Sequence, residues 1–210
     1  MFRIFLAALL IGSTASAEGE KPGPLDYYVM ALSWSPNWCA LEGDRKGSNQ
    51  CDTRHDHGFI LHGLWPQNKE GWPSYCRANY RAPSRTMTGA MSNIMGSGGL
   101  AWHQWKKHGT CSGLSAAEYY ATSRKVYVTF KRPEILRKLD KPVRLPASVI
   151  KDAFLEANPT LKADQITITC KQNYIQEVRI CLTKEFEFRR CGRDVIRDCK
   201  ATNATLNPIR

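Results

Sequence analysis

The cysteines constrain this chain more than any other feature. Eight of them fall between positions 39 and 199, all downstream of an N-terminal stretch with the make-up of a secretory leader. Met1 to Ala17 carries Arg3 near its start, an apolar run from Ile4 to Ile11, and Ala15-Ser16-Ala17 as a small-residue cleavage site. An even number of cysteines behind such a leader suits an oxidising compartment, so four disulfides are expected to brace the mature fold. Eight cysteines allow about 105 pairings, and spacing alone does not choose among them. Zinc ligation by thiolates is the alternative use, but the sequence holds no Cys-x2-Cys pair.

No internal repeat, low-complexity run or long linker divides the 210 residues, so 1–17 reads as a signal peptide and 18–210 as one domain. The leader is too short to span a bilayer, and no later segment approaches ~18 uninterrupted apolar residues. A soluble secreted or periplasmic monomer without membrane insertion is expected. A vacuolar or lysosomal lumen also fits a eukaryotic source, and Asn203-Ala-Thr205 would then be a glycosylation acceptor. The formal charge of +11 and pI near 9.4 favour an acidic partner, nucleic acid first, with acidic glycans or a membrane surface as alternatives.

Along the chain, Glu18 to Pro24 reads as a loose arm and Tyr27 to Trp34 as a strand buried on both faces. Phe59 to Gln67 begins as a buried strand that ends in His62 and breaks at Gly63 and Pro66. Asn68 to Gly99 is rich in Gly, Pro, Ser, Asn and Arg, with Trp72, Tyr75 and Tyr80 interleaved, and reads as a long binding loop. Rings with basic neighbours suit unstacked bases and phosphates, although the same rings could simply pack under a loop. Ser115 and Glu118 form a capping box for a helix whose stripe, Tyr119, Ser123, Val126, Tyr127 and Phe130, runs to Pro133. A second helix is expected from about Pro146 to Ala157, then strands at Ile166–Thr169, Tyr174–Leu182 and Phe186–Arg190. The fold class is therefore α+β, an antiparallel sheet with packed helices.

The chemistry concentrates in Trp102 to Cys111, Trp-His-Gln-Trp-Lys-Lys-His-Gly-Thr-Cys. As a helix, this stretch places His103, Gln104, Lys107 and His108 within an arc of about 140° facing a cleft. Trp102 and Trp105 then anchor the opposite side in a core, and Gly109 ends the helix. Two imidazoles, an amide and an ammonium on one face can move protons and stabilise an anion, while the bland alternative is an amphipathic helix with surface histidines. His55-Asp56-His57 is a candidate metal pair, but no carboxylate or cysteine at ligand spacing completes it, and surface histidines are the simpler reading.

Together, His62-Gly-Leu-Trp-Pro66 and His103-Gln-Trp-Lys-Lys-His-Gly-Thr-Cys111 resemble the paired active-site motifs of the ribonuclease T2 family. There a His-Gly-Leu-Trp-Pro strand end faces a helix reading roughly His-Glu-Trp-x-Lys-His-Gly-x-Cys. Asp26 to Trp34 and Glu177-Val-Arg-Ile-Cys181 extend the likeness over nearly the whole mature chain. The resemblance implies a metal-independent, cofactor-free endoribonuclease acting on single-stranded RNA, with the neighbouring 2′-hydroxyl as nucleophile. It implies that His108 is the base, His62 the acid, His103 a phosphate contact and Lys107 the charge stabiliser. Trp65 and Gln67 stand where the family builds its base pocket, with Trp72 or Tyr75 as a stacking ring. It also implies the pairs Cys39–Cys51, Cys76–Cys111, Cys170–Cys199 and Cys181–Cys191.

Two departures stand out. Gln104 replaces the motif's glutamate, and Gln67 occupies a position that is often aspartate, so base preference does not carry over. The amide at 104 leaves open a second reading, a catalytically weakened RNA-binding or cell-surface protein on the same fold. A metal-dependent nuclease is a third, but it lacks the carboxylates that magnesium or zinc would want.

Overall fold

The structure, a computed structural model, describes residues 24–210. The expected signal peptide, and all of the expected arm except Pro24, lie outside the described residues.

The fold is α+β, built on a six-stranded sheet. Its first strand is β1, Tyr27–Trp34, in which all eight residues are buried. Strands buried on both faces read as continuous apolar runs, as this one does. On one side β1 pairs antiparallel with β2, Phe59–Gln67, and on the other with β5, Tyr174–Leu182. Beyond β5 the sheet divides. β4, Ile166–Lys171, pairs with it antiparallel, and β6, Ala204–Leu206, touches it in parallel through Tyr174 and Thr205. β3, Val143–Leu145, closes that edge antiparallel to β6. The sheet is therefore mixed rather than wholly antiparallel, because two three-residue strands too short to show a pattern join it at one end.

Among the described residues, six α-helices accompany this sheet. α1, Ser35–Trp38, continues directly from β1, with Pro36 in its first turn. α2, Arg85–Gly89, and α3, Ser92–Met95, lie inside the segment expected to be a long loop. Met91, Ile94 and Met95 are buried there, and Ser84 caps α2, so a short apolar helical pattern overrides the Gly/Ser-rich composition. α4, Gly98–Lys107, α5, Ala116–Thr129, and α6, Ala147–Ala157, complete the set. The expected Phe186–Arg190 strand is absent except for one bridge, Leu182 to Phe188. Phe186 turns the chain with φ +69°, and Phe188 packs on Phe130 instead of extending a ladder.

α5 is the clamp that positions the site. Its capping box, Ser115 with Glu118, forms as expected, and Tyr119, Ser123, Val126 and Tyr127 are buried with Phe130 at its C-cap. Three tyrosine hydroxyls on this helix donate to backbone carbonyls: Tyr127 to Phe59 and Tyr119 to Leu64 on β2, and Tyr120 to Ala101 on α4, each at 2.9 Å. β2 is thus held on either side of His62, and α4 is fixed against it.

The disulfides are Cys39–Cys51, Cys76–Cys111, Cys170–Cys199 and Cys181–Cys191, the pairing that the resemblance implies. Cys76–Cys111 ties the turn after α4 to the segment beyond β2.

Candidate active site

His62 lies inside β2, which runs on through Gly63 and Pro66 to Gln67 instead of ending at the imidazole as expected, because the ladder absorbs the irregularity as a shift in register. Along β1, Ala31 faces Gly63 and Leu32 faces Leu61, so His62 is the extra residue of a β-bulge. Bulges re-aim side chains and recur beside active sites. A second bulge on the neighbouring ladder leaves Gln176 unpaired, next to Glu177. Both irregularities open into the same cleft.

α4 supplies the opposite wall. Its buried stripe runs through Ala101, Gln104, Trp105 and His108, an i, i+3, i+4, i+7 line. Trp105 is in the core as expected, but Trp102 is 39% exposed, because it lies at the edge of that stripe. Gln104, expected on the open face, lies on the buried stripe at 1% exposure. The helix ends at Lys107, before Gly109. His108 is its C-cap with φ −122° and ψ −44°, outside helical geometry, and a 3-10 turn follows over Gly109–Cys111.

A cavity of about 400 Å³ collects His62, Trp65, Gln67, Trp72, His103, Gln104, Lys107 and His108. An adjoining cavity of about 370 Å³ shares His62 with it, so the cleft continues on both sides of that imidazole. Tyr75 does not line the first cavity. Its backbone N–H donates to the Lys107 carbonyl at 2.9 Å, and its ring is exposed. Of the two candidate stacking rings, Trp72 alone faces the cleft. Gln67 is buried, with its amide donating to the Pro66 carbonyl at 2.9 Å.

Trp65 stands between the two histidines. Its ring stacks on His108 with centroids 5.2 Å apart and meets His62 edge-on at 5.3 Å. Its indole N–H donates to Gln104 Oε1 at 2.8 Å. Gly63 makes this contact reachable, since a Cβ there would lie 2.2 Å from Gln104 Oε1 and 2.3 Å from Trp65 Nε1.

The electrostatics separate the imidazoles. Burial, reinforced by Lys107, His62 and His103, drives His108 down to about 3, so it is neutral at ordinary pH. Its Nδ1 has no hydrogen-bond partner among the described residues. Burial and Lys107 lower His103 as well. His62 Nδ1, by contrast, meets Glu177 Oε1. Burial pushes Glu177 up, but His62 and Arg179 overcome it and hold the carboxyl at about 2.

His55 and His57 stack on each other in a separate cavity at the start of β2. The close Cys39, Asp44 and Cys51 cluster is a disulfide beside a carboxylate and offers no thiolate. Within the cleft the donors are imidazoles, an ammonium and a guanidinium, and of its two carboxylates Glu177 is engaged by Arg179 and Asp194 by the Gly71 N–H, a set matched to an anionic substrate.

Residues 25–191 match the Ribonuclease T2 family. The chain belongs to that family. A ribonuclease of Aeromonas hydrophila is 34% identical over 196 residues, covering 86% of this chain and 81% of that one. A probable ribonuclease of Haemophilus influenzae is 28% identical over 193 residues, covering 86% of this chain and 64% of that protein. The RNase-related protein from Calystegia sepium shares the fold, with a TM-score of 0.66 over 88% of this chain and 97% of that one at 21% identity.

Against the ribonuclease T2 motif, the structure adds Glu177 and Arg179, which sequence reading passed over as site residues. Both line the first cavity. The available signal was an acid and a base two apart in the strand Ile175 to Leu182, whose other residues apart from Gln176 are apolar. Side chains at that spacing share one face of a strand, so the pair marks a charged spot inside the sheet.

Proposed function

We propose that this ribonuclease T2 family member is a secreted endoribonuclease that cleaves single-stranded RNA by transphosphorylation, without a metal. His108 takes the proton of the 2′-hydroxyl, whose oxygen attacks the adjacent phosphorus. The bond from phosphorus to the 5′-oxygen breaks, and His62 protonates that departing oxygen, leaving a 2′,3′-cyclic phosphate. Lys107 stabilises the charge that builds on the phosphoryl oxygens, and His103 contacts the phosphate. Trp65 and Gln67 border the base pocket, with Trp72 as its stacking ring.

The observation that carries this reading is the opposite setting of two imidazoles on one cleft. His108 is held neutral by burial, as a base must be, while His62 Nδ1 meets the buried carboxylate of Glu177. The net charge of +11 favours a polyanionic substrate. No described helix is long and apolar enough to cross a membrane.

Incubation of the purified protein with labelled single-stranded RNA in excess chelator tests the mechanism. Products ending in 2′,3′-cyclic phosphate, with an all-deoxy strand left intact, are the expected result. Cleavage of the deoxy strand, or activity lost to chelator and restored by a metal, overturns it. Tight RNA binding without cleavage favours instead the weakened RNA-binding reading that Gln104 leaves open.

A further inference from the structure

Among the described residues Glu177 is the one buried carboxylate that meets a cleft imidazole, and its two oxygens are divided between two partners. Oε1 faces His62 Nδ1, while Oε2 accepts from Arg179 Nε at 2.9 Å and from Nη2 at 2.7 Å. Only 2% of Glu177 is exposed, so water does not compete for these bonds. A carboxylate only accepts hydrogen bonds, so His62 Nδ1 must be the donor. Arg179 is itself held, with its guanidinium 5.3 Å from the centroid of the Trp65 ring. Trp65 in turn contacts both histidines.

We propose that Glu177 is a positioning residue for proton delivery: it fixes the proton of His62 on Nδ1 and aims Nε2 at the departing 5′-oxygen, with Arg179 locking the carboxylate. This rests on the acid role given to His62 above. The balance is simple. The electron pair of the breaking phosphorus–oxygen bond goes to the 5′-oxygen, which takes the Nε2 proton. Neutral His62 remains, its proton on Nδ1 still hydrogen-bonded to Glu177, and Nε2 is recharged by a proton from water. Had the carboxylate been absent, the ring could flip or settle in the other neutral tautomer, with its lone pair turned away from the cleft.

The charged groups facing His62 come from several elements. α4 and its cap present His103, Lys107 and His108, β5 presents Glu177 and Arg179, and the segment after Cys191 adds Asp194, which accepts from the Gly71 N–H at 2.8 Å. The adjoining cavity adds Glu42 and Lys171, which are paired with each other. Of these carboxylates, Glu177 is the one that meets the His62 ring.

A leaving-group comparison separates positioning from mere structure. Two substrates are used, a ribodinucleotide and a ribonucleoside 3′-(p-nitrophenyl phosphate), whose leaving group departs without needing a proton. Glu177→Gln is expected to lower kcat on the dinucleotide by at least about tenfold while costing the nitrophenyl ester less than about twofold, with KM little changed. Glu177→Asp should recover part of the dinucleotide rate. An equal loss on both substrates, or none on the dinucleotide, overturns the proposal. A second measurement needs no variant and covers the case in which Glu177→Gln fails to fold. Nitrogen-15 NMR of the native protein at alkaline pH should report the Nδ1–H tautomer of His62, and the Nε2–H tautomer overturns the proposal. Failure of the native protein to cleave either substrate would instead remove the ribonuclease reading itself.

Discussion

The indole N–H of Trp65 donates to Gln104 Oε1 across 2.8 Å, joining the strand that carries His62 to the helix that ends in His108. Gln104 is buried, so removing the donor strands a buried acceptor at a cost of about 1–3 kcal/mol. Trp65→Phe is expected to lower stability by that amount in urea unfolding and to lower kcat, because the ring that separates the two imidazoles loses its anchor. Gly63→Ala should do similar damage from the other side, since its methyl would occupy the space of that hydrogen bond. Unchanged stability in both variants would remove the anchor role.

Gln104→Glu tests what the amide does to the reaction. Glutamate retains an acceptor for Trp65 but places a negative charge one helical turn from His108. That charge favours the imidazolium form, so the base would be lost at higher pH than in the native protein. The acidic limb of kcat/KM should move upward by about 0.5–2 pH units, and the plateau rate should rise because the charge also stabilises the imidazolium formed in the transition state. An unmoved or downward-shifted limb would show that residues 104 and 108 are not coupled.

Five histidines are present, and the structure sorts them by location. His62→Ala and His108→Ala should each lower kcat by at least about a hundredfold with the fold intact by circular dichroism. His55→Ala and His57→Ala, in the separate cavity at the start of β2, should leave kcat within about twofold. A loss at either of the latter as large as that at His62 would mean the wrong imidazoles have been chosen.

The elements with strong local signals were legible in the sequence. The apolar run of β1, the capping box of α5 and the two histidine motifs each declare themselves within about ten residues. What was not legible depended on contacts between distant segments. Trp102 looked like a core anchor because two indoles three apart suggest one apolar face, whereas the packing of α5 and β2 centres the buried stripe on Ala101 and Trp105. β3 and β6 are three residues each, and only their mutual pairing makes them strands. Glu177 is 115 residues from His62, and a lone carboxylate in an apolar strand carries no mark of its partner. The bulge that turns His62 into the cleft is likewise a property of the β1–β2 register, not of either strand alone.

The burial of neutral His108 also predicts how stability changes with pH. In the unfolded chain this imidazole takes up a proton near pH 6.5, whereas in the fold it resists protonation down to about 3. Between those values the unfolded state binds more protons, so stability is intact above about pH 6.5 and falls as the solution is acidified through that window. One such group contributes a slope of at most about 1.4 kcal/mol per pH unit. His57 and His103 are lowered too and add to the slope in the same direction. Glu177 acts in a lower window, because its carboxyl sits near 2 in the fold against 4.5 when free, so its contribution is present above about 4.5 and lost below it. The interval from pH 6.5 to 4.5 therefore isolates the imidazoles. Urea unfolding at steps across that interval should give a native slope that His108→Asn reduces, by up to about 1.4 kcal/mol per pH unit, without abolishing it. Parallel slopes for the two proteins would mean that His108 is already free to protonate in the native cleft, and the neutral base on which the proposed proton transfer depends would be lost.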